Sequence, residues 1–230
     1  MGTADTLMEI YDRLLEHFGP QHWWPGQTPF EVMVGAVLTQ NTNWQNVVRA
    51  IDNLRRQGLL EPRALAALPV ERLAELVRPA GYFRVKARRL HNLIEWLERE
   101  FDYDLDRMFA LPVEELRPRL LAVNGIGAET CDSILLYAGG IPVFVVDAYT
   151  CRVVVRHGLI APDEVTYEAV QSLFEEHLPR DAALFNEYHA LLVAVGKRYC
   201  RPRPRCRDGC PLSHMLEPGA GVLDEVEADG

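Results

Sequence analysis

Residues 123–130, Val-Asn-Gly-Ile-Gly-Ala-Glu-Thr, join two segments with helical periodicity at 113–121 and 128–137. Gly125 and Gly127 permit positive φ and let another backbone approach closely. The first N–H groups of the second helix have no partner within the helix, and with the helix dipole they suit a phosphate oxygen. The pattern predicts a hairpin of helices that grips a phosphate backbone, with a plain interhelical connector as the alternative.

A single carboxylate, Asp147, follows this hairpin at the end of an apolar run, Ile141–Val146, and begins the helical pattern of residues 148–155. The run contains a proline and has no second apolar run with which to pair. We therefore expect an extended, buried connector rather than a strand. An acid at such a helix start is either an N-cap that stabilises the helix or a carboxylate that performs chemistry.

The remaining sequence is helical almost throughout, which predicts an all-α protein. Its 230 residues fit one large or two small domains, and no apolar run is long enough for a membrane span. The N-terminus lacks the basic and apolar pattern of a secretory signal, so the cytoplasm is the expected compartment.

Charge is distributed unevenly along the chain. The net charge is −9, yet residues 197–207 carry six basic and no acidic side chains. Because screening limits the reach of a charge to about 8–10 Å, such a local surface can bind phosphates on an acidic protein. Residues 217–230 hold five acids and no base, and we expect them to be a disordered acidic tail.

Residues 123–153 resemble the helix-hairpin-helix DNA glycosylases related to endonuclease III. In that family a glycine-rich hairpin is followed by a short apolar segment ending in Val-Asp. Residues 29–42, Pro-Phe-Glu-Val-Met-Val-Gly-Ala-Val-Leu-Thr-Gln-Asn-Thr, are similar to the family's early helix and glutamine loop. Residues 81–87, Gly-Tyr-Phe-Arg-Val-Lys-Ala, are similar to its wedge loop. The resemblance extends over about residues 5–215.

The resemblance implies a two-lobed helical fold with a DNA cleft between the lobes and a cysteine-containing C-terminal loop. One domain would be residues 22–135, ending in the hairpin, and the other would join residues 1–21 to residues 136–216. The implied partner is double-stranded DNA with a damaged base, bound by a monomer in the nucleoid. Members of the family flip such a nucleotide out of the duplex and cut its glycosidic bond.

The resemblance assigns catalysis to Asp147, whose charge would stabilise the positive charge that develops on the sugar. Relatives that also cleave the strand carry a lysine just after the hairpin, where its amine forms a Schiff base. Glu129 occupies that position here, and the only lysines are Lys86 and Lys197. We therefore predict a hydrolase with weak or absent lyase activity, which leaves an abasic site.

Other family positions imply contacts with DNA. Gln40 matches the residue that fills the space left by the flipped base, and Tyr82 matches the wedge between bases. The residues expected to contact DNA are Gln40, Asn41, Tyr82, Lys86, Gly125 and Gly127.

Tryptophans near the glutamine loop indicate which kind of damaged base is removed. Trp23, Trp24, Pro25 and Trp44 resemble the branch of the family that removes 3-methyladenine. Alkylated purines are often cationic, and an electron-rich ring attracts them. The alternatives are an oxidised-pyrimidine glycosylase of the endonuclease III type, a non-catalytic protein that binds damaged DNA, and a helical interaction domain.

Three of the five cysteines lie close together in a Pro- and Arg-rich loop, at Cys200, Cys206 and Cys210. Such spacing in a cytosolic loop indicates a metal rather than a disulfide. The family often holds a [4Fe–4S] cluster there with four cysteines, and His214 is the first candidate for the missing ligand. A labile or three-iron cluster, a zinc ion and an empty loop remain alternatives.

Overall fold

The computed structural model describes residues 2–216, and all regular structure in that range is helical, as predicted. The α-helices are α1 (Thr3–Phe18), α2 (Pro29–Thr39), α3 (Trp44–Arg55), α4 (Pro62–Ala66), α5 (Val70–Leu76), α6 (Phe83–Phe101), α7 (Leu105–Phe109), α8 (Val113–Leu121), α9 (Ala128–Ser133), α10 (Ala148–Arg156), α11 (Tyr167–His177) and α12 (Ala182–Arg198). A π-helical segment at Ile134–Ala138 continues α9, and short 3₁₀ turns cover Arg78–Ala80, Cys206–Asp208 and Ser213–Met215. No helix within residues 2–216 has the length and apolarity needed to cross a membrane.

The chain forms two compact units. The central unit is Trp24–Ile141, and the split unit joins the residues before Trp24 to those from Pro142 onward. The predicted domain boundary after residue 135 falls inside the π-helical segment, because the helix begun by α9 continues to Ala138 before the chain leaves the unit. The predicted acidic tail at 217–230 lies outside the described residues.

Helix α2 is the core helix of the central unit, with every residue from Phe30 to Leu38 buried. Pro29 occupies its first turn, where a missing N–H costs nothing, and the Thr28 hydroxyl accepts from the Glu31 N–H at 3.1 Å. The helix ends so that Gln40 is its C-cap. Helix α6 packs against α2 and α5, which brings its first turns close to that C-cap.

The apolar segment that precedes Asp147 is extended and is the core of the split unit. Val143–Val146 are buried, and the Phe144 ring stacks on Phe174 with centroids 3.9 Å apart. Side chains replace the missing strand partner, since the Phe144 N–H donates to Glu175 Oε1 at 2.8 Å and its carbonyl accepts from Gln171 Nε2 at 2.8 Å. The predicted extended connector is thereby confirmed.

Candidate active site

Asp147 is the N-cap of α10 in the split unit. Its Oδ1 accepts from the Thr150 N–H at 2.8 Å and from the Thr150 hydroxyl at 2.9 Å. Its side chain keeps 12% of its surface exposed, and within residues 2–216 no donor hydrogen-bonds its Oδ2. The two interpretations of this acid are therefore compatible, because one oxygen caps the helix while the other stays available.

His189 of α12 lies beside this carboxylate, with Nε2 4.0 Å from Asp147 Oδ2. The other ring nitrogen, Nδ1, is 3.0 Å from the Val145 carbonyl oxygen. A carbonyl only accepts, so Nδ1 carries the hydrogen of this bond and Nε2 is the ring nitrogen that faces Asp147. His189 is not identifiable from the sequence alone, because no local pattern links α12 to the start of α10.

Glu129 is exposed in the first turn of α9, in the central unit. A carboxylate cannot form a Schiff base. Of the two lysines in the chain, Lys86 belongs to the same unit as Glu129 and is buried among backbone groups, so its amine offers no replacement.

The hairpin turn depends on one glycine in particular. Gly125 has φ +97°, and a Cβ at this position would collide with the side-chain stem of Arg89. Gly127 has φ −90° and open space where a Cβ would stand. Gly125 therefore allows Arg89 to cross closely over the turn, whereas Gly127 is not required by packing within the described residues.

Gln40 is joined to this turn by a network within the central unit. Its Nε2 donates to the Gly125 carbonyl at 3.1 Å and to the Thr130 hydroxyl at 2.8 Å. Its Oε1 accepts from Arg89 Nη1. Two predicted residues, Gln40 and Gly125, are thus in direct contact. Arg89 and Thr130, which complete the network, are not identifiable from the sequence alone.

Asn41 and Tyr82 both have left-handed backbones, with φ +53° and +44°. Asn41 is exposed, and Tyr82 is 74% exposed at the start of α6. Positive φ is uncommon for residues other than glycine, and a bulky ring held this way in solvent is a marked exception. Val85, one turn later in α6, is also exposed.

The prediction that Lys86 contacts DNA is wrong for this structure. Its side chain is buried, and Nζ donates to the carbonyls of Leu38 at 2.9 Å and Ala80 at 2.6 Å. Burial, with a smaller contribution from Arg89, lowers the pKa of Lys86 to about 8. The ammonium group therefore joins the end of α2 to the turn before α6.

Two of the predicted pocket residues, Trp24 and Trp44, contact each other edge to face at 4.9 Å. A third ring, Tyr137, lies against Trp24 at 5.1 Å and comes from the π-helical segment. All three rings are partly exposed, and Pro25 is exposed. Trp23 belongs to the split unit. The sequence analysis did not identify Tyr137, because the π-helical segment that places it is not evident from periodicity.

The predicted metal ligands do not form a ligand set. Cys200 and Cys210 are buried, and burial raises the pKa of the Cys210 thiol to about 11. His214 has its Nε2 3.8 Å from Glu9 Oε1. No group of three or more His, Cys, Asp or Glu side chains within residues 2–216 is arranged to hold a metal ion. The predicted [4Fe–4S] cluster is therefore not confirmed, although the thiols of Cys200, Cys206 and Cys210 lie close enough to influence one another electrostatically.

Arginines of α10 hold the cysteine loop instead. Arg156 donates to the Cys200 sulfur at 3.1 Å, to the Arg201 carbonyl at 2.6 Å and to the Pro202 carbonyl at 2.8 Å. Arg152 donates to the Cys200 carbonyl at 3.0 Å. The loop is therefore anchored to the helix that Asp147 caps.

The helical hairpin with its turn at Gly125, the exposed Tyr82 before α6 and the largely buried Asp147 at the start of α10 are the features expected of a helix-hairpin-helix DNA glycosylase. Residues 34–180 match the family model of the HhH-GPD superfamily base excision DNA repair proteins. The chain belongs to this family and is a DNA glycosylase of base excision repair.

Individual relatives agree with this family. A Methanocaldococcus jannaschii protein named as a DNA repair glycosylase is 43% identical over 92% of this chain and 96% of its own. The crystal structure of H. pylori 3-methyladenine DNA glycosylase bound to 1,N6-ethenoadenine has a TM-score of 0.73 and 29% identity, over 86% of this chain and 98% of that one. A trapped endonuclease III–DNA covalent intermediate shares the fold, with a TM-score of 0.78 and 23% identity over 94% and 96%.

Proposed function

We propose that the chain is a monofunctional glycosylase that hydrolyses the N-glycosidic bond of alkylated purines such as 3-methyladenine in double-stranded DNA. The observation that carries this proposal is the pair of acids, Asp147 at the start of α10 and Glu129 at the position of the Schiff-base lysine. With Asp147 as the catalytic carboxylate and no amine at position 129, water is the favoured nucleophile.

Asp147 acts through its Oδ2 in this proposal. As the glycosidic bond breaks, the sugar gains oxocarbenium character, and a fixed negative charge lowers the energy of that state. The two hydrogen bonds from Thr150 hold Oδ1, so the carboxylate does not have to reorganise during the reaction. Oδ2 also orients the attacking water and accepts a proton from it.

The aromatic cluster of Trp24, Trp44 and Tyr137 supports the choice of lesion. Cationic alkylated purines are attracted to the faces of aromatic rings, and their glycosidic bonds are already weakened, so no covalent catalysis is required. The H. pylori relative named as a 3-methyladenine glycosylase supports the same lesion class.

DNA is held without reading its sequence in this proposal. Backbone N–H groups of the hairpin bind phosphates, and Tyr82 stacks between bases, a contact worth about 1–3 kcal/mol per base. Gln40 occupies the space left by the flipped nucleotide and faces the orphaned base of the opposite strand.

The test is base release from duplexes that contain a single 3-methyladenine, 1,N6-ethenoadenine or thymine glycol. We expect release of the alkylated purine, an abasic product with an intact strand, and no adduct after borohydride. Release of thymine glycol with a trapped adduct would instead identify an endonuclease III-type enzyme. Duplex binding without release of any base would identify a damage-binding protein.

A further inference from the structure

The orientation of the Gln40 amide is set by the chemistry of its partners. Arg89 is purely a donor, and the Gly125 carbonyl is purely an acceptor. A flipped amide would place its NH₂ group against a guanidinium and its oxygen against a carbonyl, which is two repulsive contacts. Oε1 must therefore face Arg89, and Nε2 must face the hairpin turn.

This orientation uses most of the hydrogen-bonding capacity of the amide. Both N–H groups of Nε2 are engaged, one by the Gly125 carbonyl and one by the Thr130 hydroxyl. Oε1 has two lone pairs, and Arg89 uses one of them. What remains on this half-exposed side chain is a single acceptor position.

The surroundings hold the arrangement in place and leave room beside it. Thr130 is buried, and Arg89 is fixed over the turn because Gly125 has no Cβ. A recess of about 590 Å³ opens next to the network, lined by Arg88, Arg89 and Gly125 among others.

We propose that Arg89, Gly125 and Thr130 are positioning groups that make Gln40 an acceptor-only reader of the orphaned base, so that the enzyme prefers guanine opposite the lesion. The inference rests on the proposed function, in which Gln40 occupies the space of the flipped nucleotide. An acceptor is best satisfied by the Watson–Crick edge with the most donors. Every base offers a donor to this one position, but guanine presents two adjacent donors, N1–H and N2–H₂. The single donor group of adenine or cytosine stands beside a ring-nitrogen acceptor, and that of thymine lies between two carbonyls, so each of these bases repels Oε1 at the same edge.

The experiment measures affinity for four duplexes that carry a tetrahydrofuran abasic analogue opposite guanine, adenine, cytosine or thymine. Wild type should bind the guanine duplex most tightly, by on the order of fivefold, the value of about one hydrogen bond. Gln40→Leu should bind all four duplexes equally. Arg88→Leu, a control in the same recess, removes a charge but not the network, and should weaken all four by the same factor.

Thr130→Val provides a matched control, because it keeps the side-chain shape and removes only the hydroxyl. Arg89 and Gly125 still fix the plane of the Gln40 amide, so the freed N–H keeps pointing at the buried position 130. We expect the order of the four affinities to stay as in wild type.

Several results would overturn the inference. These are equal affinities or tightest binding to a pyrimidine duplex in wild type, a guanine preference that persists in Gln40→Leu, and tightest binding to the adenine duplex in folded Thr130→Val. A preference that persists in Gln40→Leu would mean that Arg89 or another group reads the base directly. Failure of the proposed function is separate, since it is detected as absent base release by wild type, whatever the order of the four affinities.

Discussion

Replacing Asp147 by Asn separates the two tasks that the structure gives to this side chain. Asn is as good an N-cap as Asp, and its amide oxygen can take over the bond from the Thr150 N–H, so α10 should keep its start. The charge next to the reacting sugar is lost. Removing one fixed electrostatic group of this kind lowers rates by about 10²–10³, equivalent to about 3–4 kcal/mol of transition-state stabilisation.

Two further variants separate the loss of the helix cap from the loss of the charge. Asp147→Ala loses the cap as well as the charge, and should cost about 1 kcal/mol of stability, or about 2–4 °C in a chain of this length. Thr150→Val removes only the hydroxyl bond to Oδ1 and leaves the carboxylate in place, so its rate should fall much less than that of Asp147→Asn.

The assay is single-turnover release of 3-methyladenine at saturating enzyme, with thermal denaturation of the same preparations. Asp147→Asn should melt within about 2 °C of wild type while its rate falls at least 100-fold. A folded Asp147→Asn that retains more than a tenth of the wild-type rate would refute the assignment of Asp147 as the stabilising charge.

Three other changes test separate parts of the structure. In wild type, the free energy of unfolding should rise by about 2 kcal/mol between pH 8 and 9.5, because the folded protein releases the Lys86 proton near pH 8 while the unfolded chain keeps it to 10.5. Lys86→Met should abolish this rise, as measured by urea denaturation. An equal rise in both proteins would contradict the lowered pKa of Lys86. Glu129→Lys should produce a borohydride-trapped adduct with alkylated duplex that wild type does not form, and its absence in an active variant would argue against this position as the Schiff-base site. Gly125→Ala should lower the melting temperature by several degrees because of its φ of +97° and the Arg89 stem, whereas Gly127→Ala should be nearly neutral, so equal shifts would refute the packing argument.

The sequence was informative wherever the signal is local. The glycines of the hairpin, the apolar segment before Asp147 and the helical periodicity each depend on neighbours a few residues away, and each was predicted. Lys86 was predicted wrongly because its environment is made by the carbonyls of Leu38 and Ala80, which are brought together only when α6 packs on α2. A lysine in a basic stretch therefore does not reveal whether its amine faces solvent.

Residues that are distant in sequence but adjacent in the fold could not be predicted either, because no local pattern relates them. Arg89 lies 49 positions from Gln40, and no spacing rule connects the two. Tyr137 reaches Trp24 through a π-helical segment, which displaces side chains from the 3.6-residue pattern used for prediction. The cysteine spacing indicates a metal, but the sequence does not reveal how the loop is anchored, which here is by Arg152 and Arg156.

The acid at position 129 also has a consequence for stability that is linked to the chemistry. The first turn of a helix has a partial positive charge, so Glu129 is favourable there and a lysine would be unfavourable, each by roughly 0.3–1 kcal/mol. An enzyme that forms a Schiff base must accept that cost, because the amine is its nucleophile. A hydrolase has no such requirement, since Asp147 and water are sufficient. Glu129→Lys should therefore lose stability even where it gains a trapped adduct, and a stabilised Glu129→Lys would show that this helix start does not favour an acid.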